Sequence, residues 1–162
     1  MSTATVSGTG AMCELRPELP APVAGLYLRH RSQGFVAYVT ASRDNLRALR
    51  RQSATVLEAY GVAPEAIDDV QLVITELYAN AVQACGEHVP LVVDVHTTWT
   101  GVAVHVHDPA PAVLPRRSAA PDDAEAESGR GLVLLDVLAP GWTIRRSPIG
   151  KQICCHLRTP GT

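Results

Sequence analysis

Several kinds of chemistry are missing from this chain, and each absence narrows what it can be. No apolar run approaches the ~20 residues that a bilayer span needs, so no transmembrane segment is expected. Met1 to Ala11 has neither a charged start nor an apolar stretch behind it, so no secretory signal is expected and a cytoplasmic location follows. The four cysteines, Cys13, Cys85, Cys154 and Cys155, contain no C-x-x-C spacing. No His-x₃₋₅-His pair accompanies them, which excludes the usual zinc sets. They read as reduced, partly buried thiols, with the adjacent Cys154 and Cys155 pointing to opposite faces of a strand. Charge of one sign is lacking too. A net charge of −2 and a pI near 6.3 give no global field toward nucleic acid or an anionic membrane, and neither is expected as a direct partner. The local exception is Arg43, Arg47, Arg50 and Arg51, a basic helix face that reads as solvated. There is no internal repeat, no Gly-Lys-Ser/Thr phosphate loop and no G-x-S-x-G nucleophile motif. Without such a nucleophile, His96, His105 and His107 read as sheet histidines rather than as a hydrolase site.

What remains is a 162-residue chain, 46% hydrophobic and 19% charged, enough for one domain with a real core. Residues 1–24, rich in small residues and ending around Pro17, Pro20 and Pro22, read as a flexible leader. Residues 25–160 read as the folded domain. Gly34 to Thr40 is β-prone. Ser42 or Asp44 offers an N-cap for a helix to about Ala59, with Leu46, Leu49, Ser53, Val56 and Leu57 toward the core and Gly61 as its stop. Pro64 opens the next helix, where its missing N–H costs nothing, and Ile67, Val70, Ile74, Leu77 and Ala81 form its buried stripe. Leu91–Thr97 and Val102–His107 read as a hairpin. Ala110–Ser128, rich in Pro and Ala with an acidic run, reads as a lid. A helix over Gly131–Ala139 and a hairpin of Trp142–Arg146 with Gln152–Leu157 complete the chain. Helices grouped apart from hairpins predict an α+β two-layer sandwich, a mixed and mostly antiparallel sheet with helices on one face.

Three features carry oxygen and phosphate chemistry. Glu76 and Asn80 stand i,i+4 on the flank of the second helix's stripe and present oxygens toward one point. A hard cation such as Mg²⁺ wants oxygen ligands and keeps several waters, so Asn80 suits the ion and Glu76 a nucleophile's proton. Asp108 ends a largely apolar strand, where its carboxylate suits an exocyclic amine such as adenine N6. Ser128-Gly129-Arg130-Gly131 precedes an apolar helix, so its amides, the helix N-terminus and the Arg130 fork suit phosphate. Each has an ordinary reading when taken singly: a solvated Glu with an Asn after it, a turn-forming Asp-Pro, a lone Gly-x-Gly.

Order and spacing bind the three together. Glu-x-x-x-Asn on a helix, Asp at a strand end about thirty residues on, then Gly-x-Gly opening a helix after a lid, resembles the Bergerat-fold ATPases. These include histidine-kinase catalytic domains and anti-sigma-factor serine/threonine kinases, and the likeness is greatest to small stand-alone regulators abundant in actinomycetes. It rests on Asp68 through Ala81 and on Ser128 through Leu132, and extends from about Val39 to Leu157. The resemblance implies ATP and Mg²⁺, with Glu76 as base and Asn80 as metal ligand. It implies Asp108 on adenine, and Ser128, Gly129, Arg130, Gly131 and Leu132 around the phosphates, with Arg130 catalytic at the terminal ones. It also implies phosphorylation of a small STAS-type antagonist protein, sequestration of a sigma factor, and a possible homodimer. The other function open to such a chain is a partner switch that binds ATP and regulates by protein binding alone. Three departures stand out. No glycine follows Asp108-Pro109 where relatives often have one, Lys151-Gln152 follows Gly150 where they often carry a supporting Thr, and the start around His30, Arg31 and Gln33 is unlike theirs.

Overall fold

The computed structural model describes residues 16–110 and 126–160, the latter with side chains from Leu132 onward. The first part of the expected leader, with Cys13, and most of the expected lid lie outside the described residues. The elements in chain order are β1 Leu26–Arg31, β2 Gly34–Thr40, α1 Arg43–Ala59, α2 Pro64–Cys85, β3 Pro90–Thr98 and β4 Gly101–Asp108. They continue with α3 Ala126–Leu138, β5 Thr143–Ser147 and β6 Gly150–Arg158. The strands form one six-stranded sheet in the order β1-β2-β3-β4-β6-β5, every neighbouring pair antiparallel. This is the α+β two-layer sandwich that the helix and hairpin pattern predicts.

Period-two alternation decides which face each strand residue takes. Leu28, Ala37, Val93, Val106 and Ile153 lie in register across five strands and are all buried. The next row along, Tyr27, Tyr38, Val92, His107 and Gln152, belongs to the opposite face and is exposed or half-buried. The helices cover the first face: α1 packs on α2 and β2, α2 on β4 and β6, and α3 on α2 and β6. The stripe expected on α2 is buried, joined by Val73 and Tyr78. No described helix is long and apolar enough to cross a membrane.

The helix starts follow local chemistry. Ser42 is the N-cap of α1, its Oγ accepting the Asn45 N–H at 3.0 Å. The Tyr78 hydroxyl accepts the Ser42 N–H at 2.8 Å and donates to the Ser42 carbonyl at 3.0 Å, which ties that cap to α2. Asn45, itself buried, donates to the Thr40 carbonyl at 2.8 Å and so fixes the angle between β2 and α1.

Two expectations change. An extra strand, β1, precedes the expected first one. Its Leu26 and Leu28 face the core while Tyr27 and Arg29 face out, and Ser32-Gln33 turn it into β2 with Gln33 at φ 62°. The third helix begins five residues before Gly131, at Ala126, so Ser128, Gly129, Arg130 and Gly131 lie within α3 rather than ahead of it. Ala126-Glu127 are good helix formers, a carboxylate is favourable in a first turn, and each glycine costs only about 1 kcal/mol in a helix.

Candidate functional site

The site begins on α2. Glu76 and Asn80 sit one turn apart, both half-buried, beside the fully buried Leu77 and Ala81. Asn80 Nδ2 is buried and has no hydrogen-bond partner among the described residues. An unmet buried amide costs roughly 1–3 kcal/mol, and buried amides in native proteins are nearly always satisfied. Either assignment of the amide leaves one polar end unmet, so a ligand that supplies oxygens or ordered water fits this residue.

Asp108 ends β4 on the helix-covered side, one step past the apolar row of Val104 and Val106, and is 3% exposed. Its Oδ1 accepts the Ala110 N–H at 2.9 Å, an Asx-type turn that holds the carboxylate at the strand end. Directly opposite in register, Lys151 brings Nζ to 3.3 Å from Oδ1 and is likewise buried. Gly150 makes this approach possible. Its φ is 146°, and a Cβ there would collide with the Asp108 carbonyl oxygen. Cys85, in the last turn of α2, is exposed rather than partly buried as expected, and it senses the same charges. Partial desolvation of the thiol pushes its pKa up, the Asp108 carboxylate raises it further, and Lys151 and the Ala110 backbone act against them. The Cys85 end of α2 therefore lies near the end of β4 and the start of β6, and α2 packs on both strands.

Of the residues picked from the sequence, Glu76 and Asn80 share a helix face, and Asp108 lies near the Cys85 end of that helix. Ser128, Gly129, Arg130 and Gly131 stand in the opening turns of α3, with their side chains outside the described residues. A helix's first four N–H groups have no intrahelical partner, which in α3 covers Ala126 to Gly129 but not Arg130 or Gly131. Leu132 is 2% exposed and gives its side chain to the core. Sequence reasoning missed Lys151 as the partner of Asp108; the signal was the residue after Gly150, legible only once the β4–β6 register is known.

Two grooves among the described residues lie away from these side chains. One of about 670 Å³ follows α1 and is lined by Arg43, Arg47, Arg50 and Arg51 with Glu58 and Gln71. An apolar one of about 490 Å³ crosses the open sheet face beside Tyr27 and Tyr38. That face also carries the histidines. Arg31 pairs with Asp94 at 2.7 Å, the Asp94 carboxylate lies 3.1 Å from His96 Nδ1, and His96 meets His105 edge to face at 5.6 Å. Burial lowers the His105 pKa, opposed by Asp94 and reinforced by His96, Arg145 and Arg31. The two neighbouring cysteines split as the alternation requires: Cys154 is half-buried, and Cys155 is buried with its thiol pushed up to about 12.

The comparison with curated proteins gives no match. The sequence pattern of the histidine kinase-like ATPase domain, by contrast, matches residues 39–156, which run from the last two residues of β2 through most of β6 and hold all the candidate site residues. ATP binding is what such a domain implies, and the chain belongs to the histidine kinase-like ATPase domain family.

Proposed function

We propose that this protein is an ATP- and Mg²⁺-dependent serine/threonine kinase of the anti-sigma-factor type. It would phosphorylate a small STAS-type antagonist protein and sequester a sigma factor. The observation that carries the reading is the unmet, buried Asn80 amide one turn from Glu76, on the helix whose Cys85 end lies near the buried Asp108. A cytoplasmic setting and a homodimer belong to the same proposal.

In this reading Asp108 accepts a hydrogen bond from the exocyclic amine of the base, and its burial makes that contact selective. Asn80 offers its carboxamide oxygen to the ion. Mg²⁺ asks only one or two protein ligands beside phosphate oxygens and water, and when bound it neutralises phosphate charge. The α3 amides and Arg130 hold the terminal phosphates, and Glu76 accepts the proton of the attacking serine hydroxyl. Positioning and charge do the chemistry.

Calorimetry with ATP and Mg²⁺, followed by transfer of labelled γ-phosphate to a STAS-domain protein, tests this. Glu76→Ala should retain ATP binding and lose transfer, and Asn80→Ala should lose the Mg²⁺-dependent part of binding. ATP binding without transfer to any antagonist would leave the binding-only partner switch as the function. No nucleotide binding at all would overturn both.

A further inference from the structure

Lys151 does nothing in the mechanism above, yet its placement is unusual. Lysine is almost never fully buried unless paired, and taking two charges out of water costs more than most isolated pairs return. Here both side chains are nearly sealed, Lys151 at 6% and Asp108 at 3% exposure. They occupy the first inward position of β6 and the last of β4, beyond the apolar rows, so they plug no hole in the core. Their approach also requires a glycine with positive φ at residue 150. A fold that only needed filling at this spot would be served by an apolar side chain.

The pair sets one acceptor and one donor side by side, 3.3 Å apart, where α2, β4 and β6 converge. The hydrogen bond to the carboxylate from the described residues falls on Oδ1, and an ammonium carries three N–H donors. A 6-aminopurine offers the complement: an exocyclic N–H₂ donor next to the ring acceptor N1.

We infer that Asp108 and Lys151 together read the amine and N1 edge of adenine, with Lys151 Nζ donating to N1. Lys151 is then a base-specificity residue of the proposed nucleotide site, an inference that rests on the ATP reading above. A 6-oxopurine presents an acceptor and a ring N–H in the reverse order, so it meets the carboxylate with the wrong group.

The test compares Kd values of the full chain for ATP, 1-deaza-ATP (N1 replaced by C–H) and inosine triphosphate. A lost hydrogen bond to a charged donor predicts roughly ten- to a hundredfold weaker binding of 1-deaza-ATP by the unmodified protein. Inosine triphosphate should lose at least as much. Lys151→Met should bind ATP about as weakly as the unmodified protein binds 1-deaza-ATP, and should no longer distinguish the two. The unmodified-protein arm needs no variant to fold. Equal binding of ATP and 1-deaza-ATP overturns this inference alone, as does a Lys151→Met protein that still discriminates. Equal or tighter binding of inosine triphosphate also overturns it, because it would put Lys151 on a 6-oxo group. Failure to bind ATP at all overturns the proposed function and this inference with it.

Discussion

Replacing Lys151 with methionine should destabilise the apoprotein far more than its place at the start of a strand would suggest. The ion pair spans 3.3 Å with both side chains almost free of solvent. Two unit charges at that distance attract by about 5 kcal/mol at an effective dielectric of ~20. Desolvation takes back most of that, so the intact pair contributes little net stability. Removing one member is different. Methionine keeps the stem's packing but leaves the Asp108 carboxylate buried, with the Ala110 N–H as its hydrogen-bond donor among the described residues. Breaking a buried pair in this way costs about 3–5 kcal/mol. With urea m-values of roughly 1–3 kcal/mol per molar, the unfolding midpoint should fall by 1 M or more. The double variant Asp108→Asn/Lys151→Met, which removes both charges and keeps an amide acceptor for Ala110, should recover most of that loss. Urea unfolding followed by circular dichroism measures all three proteins. A Lys151→Met cost below about 1 kcal/mol, or a double variant no better than the single one, would refute a buried, mutually dependent pair.

Three further outcomes follow from the same geometry. Cys85 reports on the pair: Asp108→Asn should lower its thiol pKa and speed its alkylation at fixed mildly alkaline pH, and Lys151→Met should slow it, as read by mass spectrometry of the Cys85 peptide. Gly150→Ala puts a Cβ against the Asp108 carbonyl at φ 146°, so it should cost at least about 1–3 kcal/mol in urea unfolding and weaken ATP binding; an unchanged protein would show that β6 need not approach so closely. Burial lowers the His105 pKa in the folded state, so the unfolded chain takes up a proton that the folded one resists. Its contribution is intact above the unfolded value near 6.5, and stability should fall as pH drops below it. Unfolding curves at pH 7.5 and 5.0 should show this fall, and it should shrink in His105→Gln.

How much of this could be read from the chain depends on how far apart the determining residues lie. The α2 stripe was legible because Ile67 through Ala81 repeat every three or four residues, and the structure buries all five named positions. The two hairpins of β3–β4 and β5–β6 were legible because alternation and a short turn are both local signals. β1 was not, because Arg29, His30 and Arg31 dilute its alternation and prolines precede it; only pairing along β2 shows that Leu26 and Leu28 face inward. The start of α3 was misjudged because Gly129 and Gly131 look like a loop, yet two glycines cost a helix about 2 kcal/mol, which packing of Leu132 and Leu135 into the core can offset. In the candidate site, Glu76 and Asn80 were within reach of sequence reasoning because a helix fixes their relation. Asp108 was within reach because it ends a strand. Lys151 was visible only as a departure from a family habit, since its partner lies on another strand and only the register couples them. The residue that looked like a missing support is the one the structure sets against Asp108, so an absent motif residue weakens a site only until its replacement's neighbours are known.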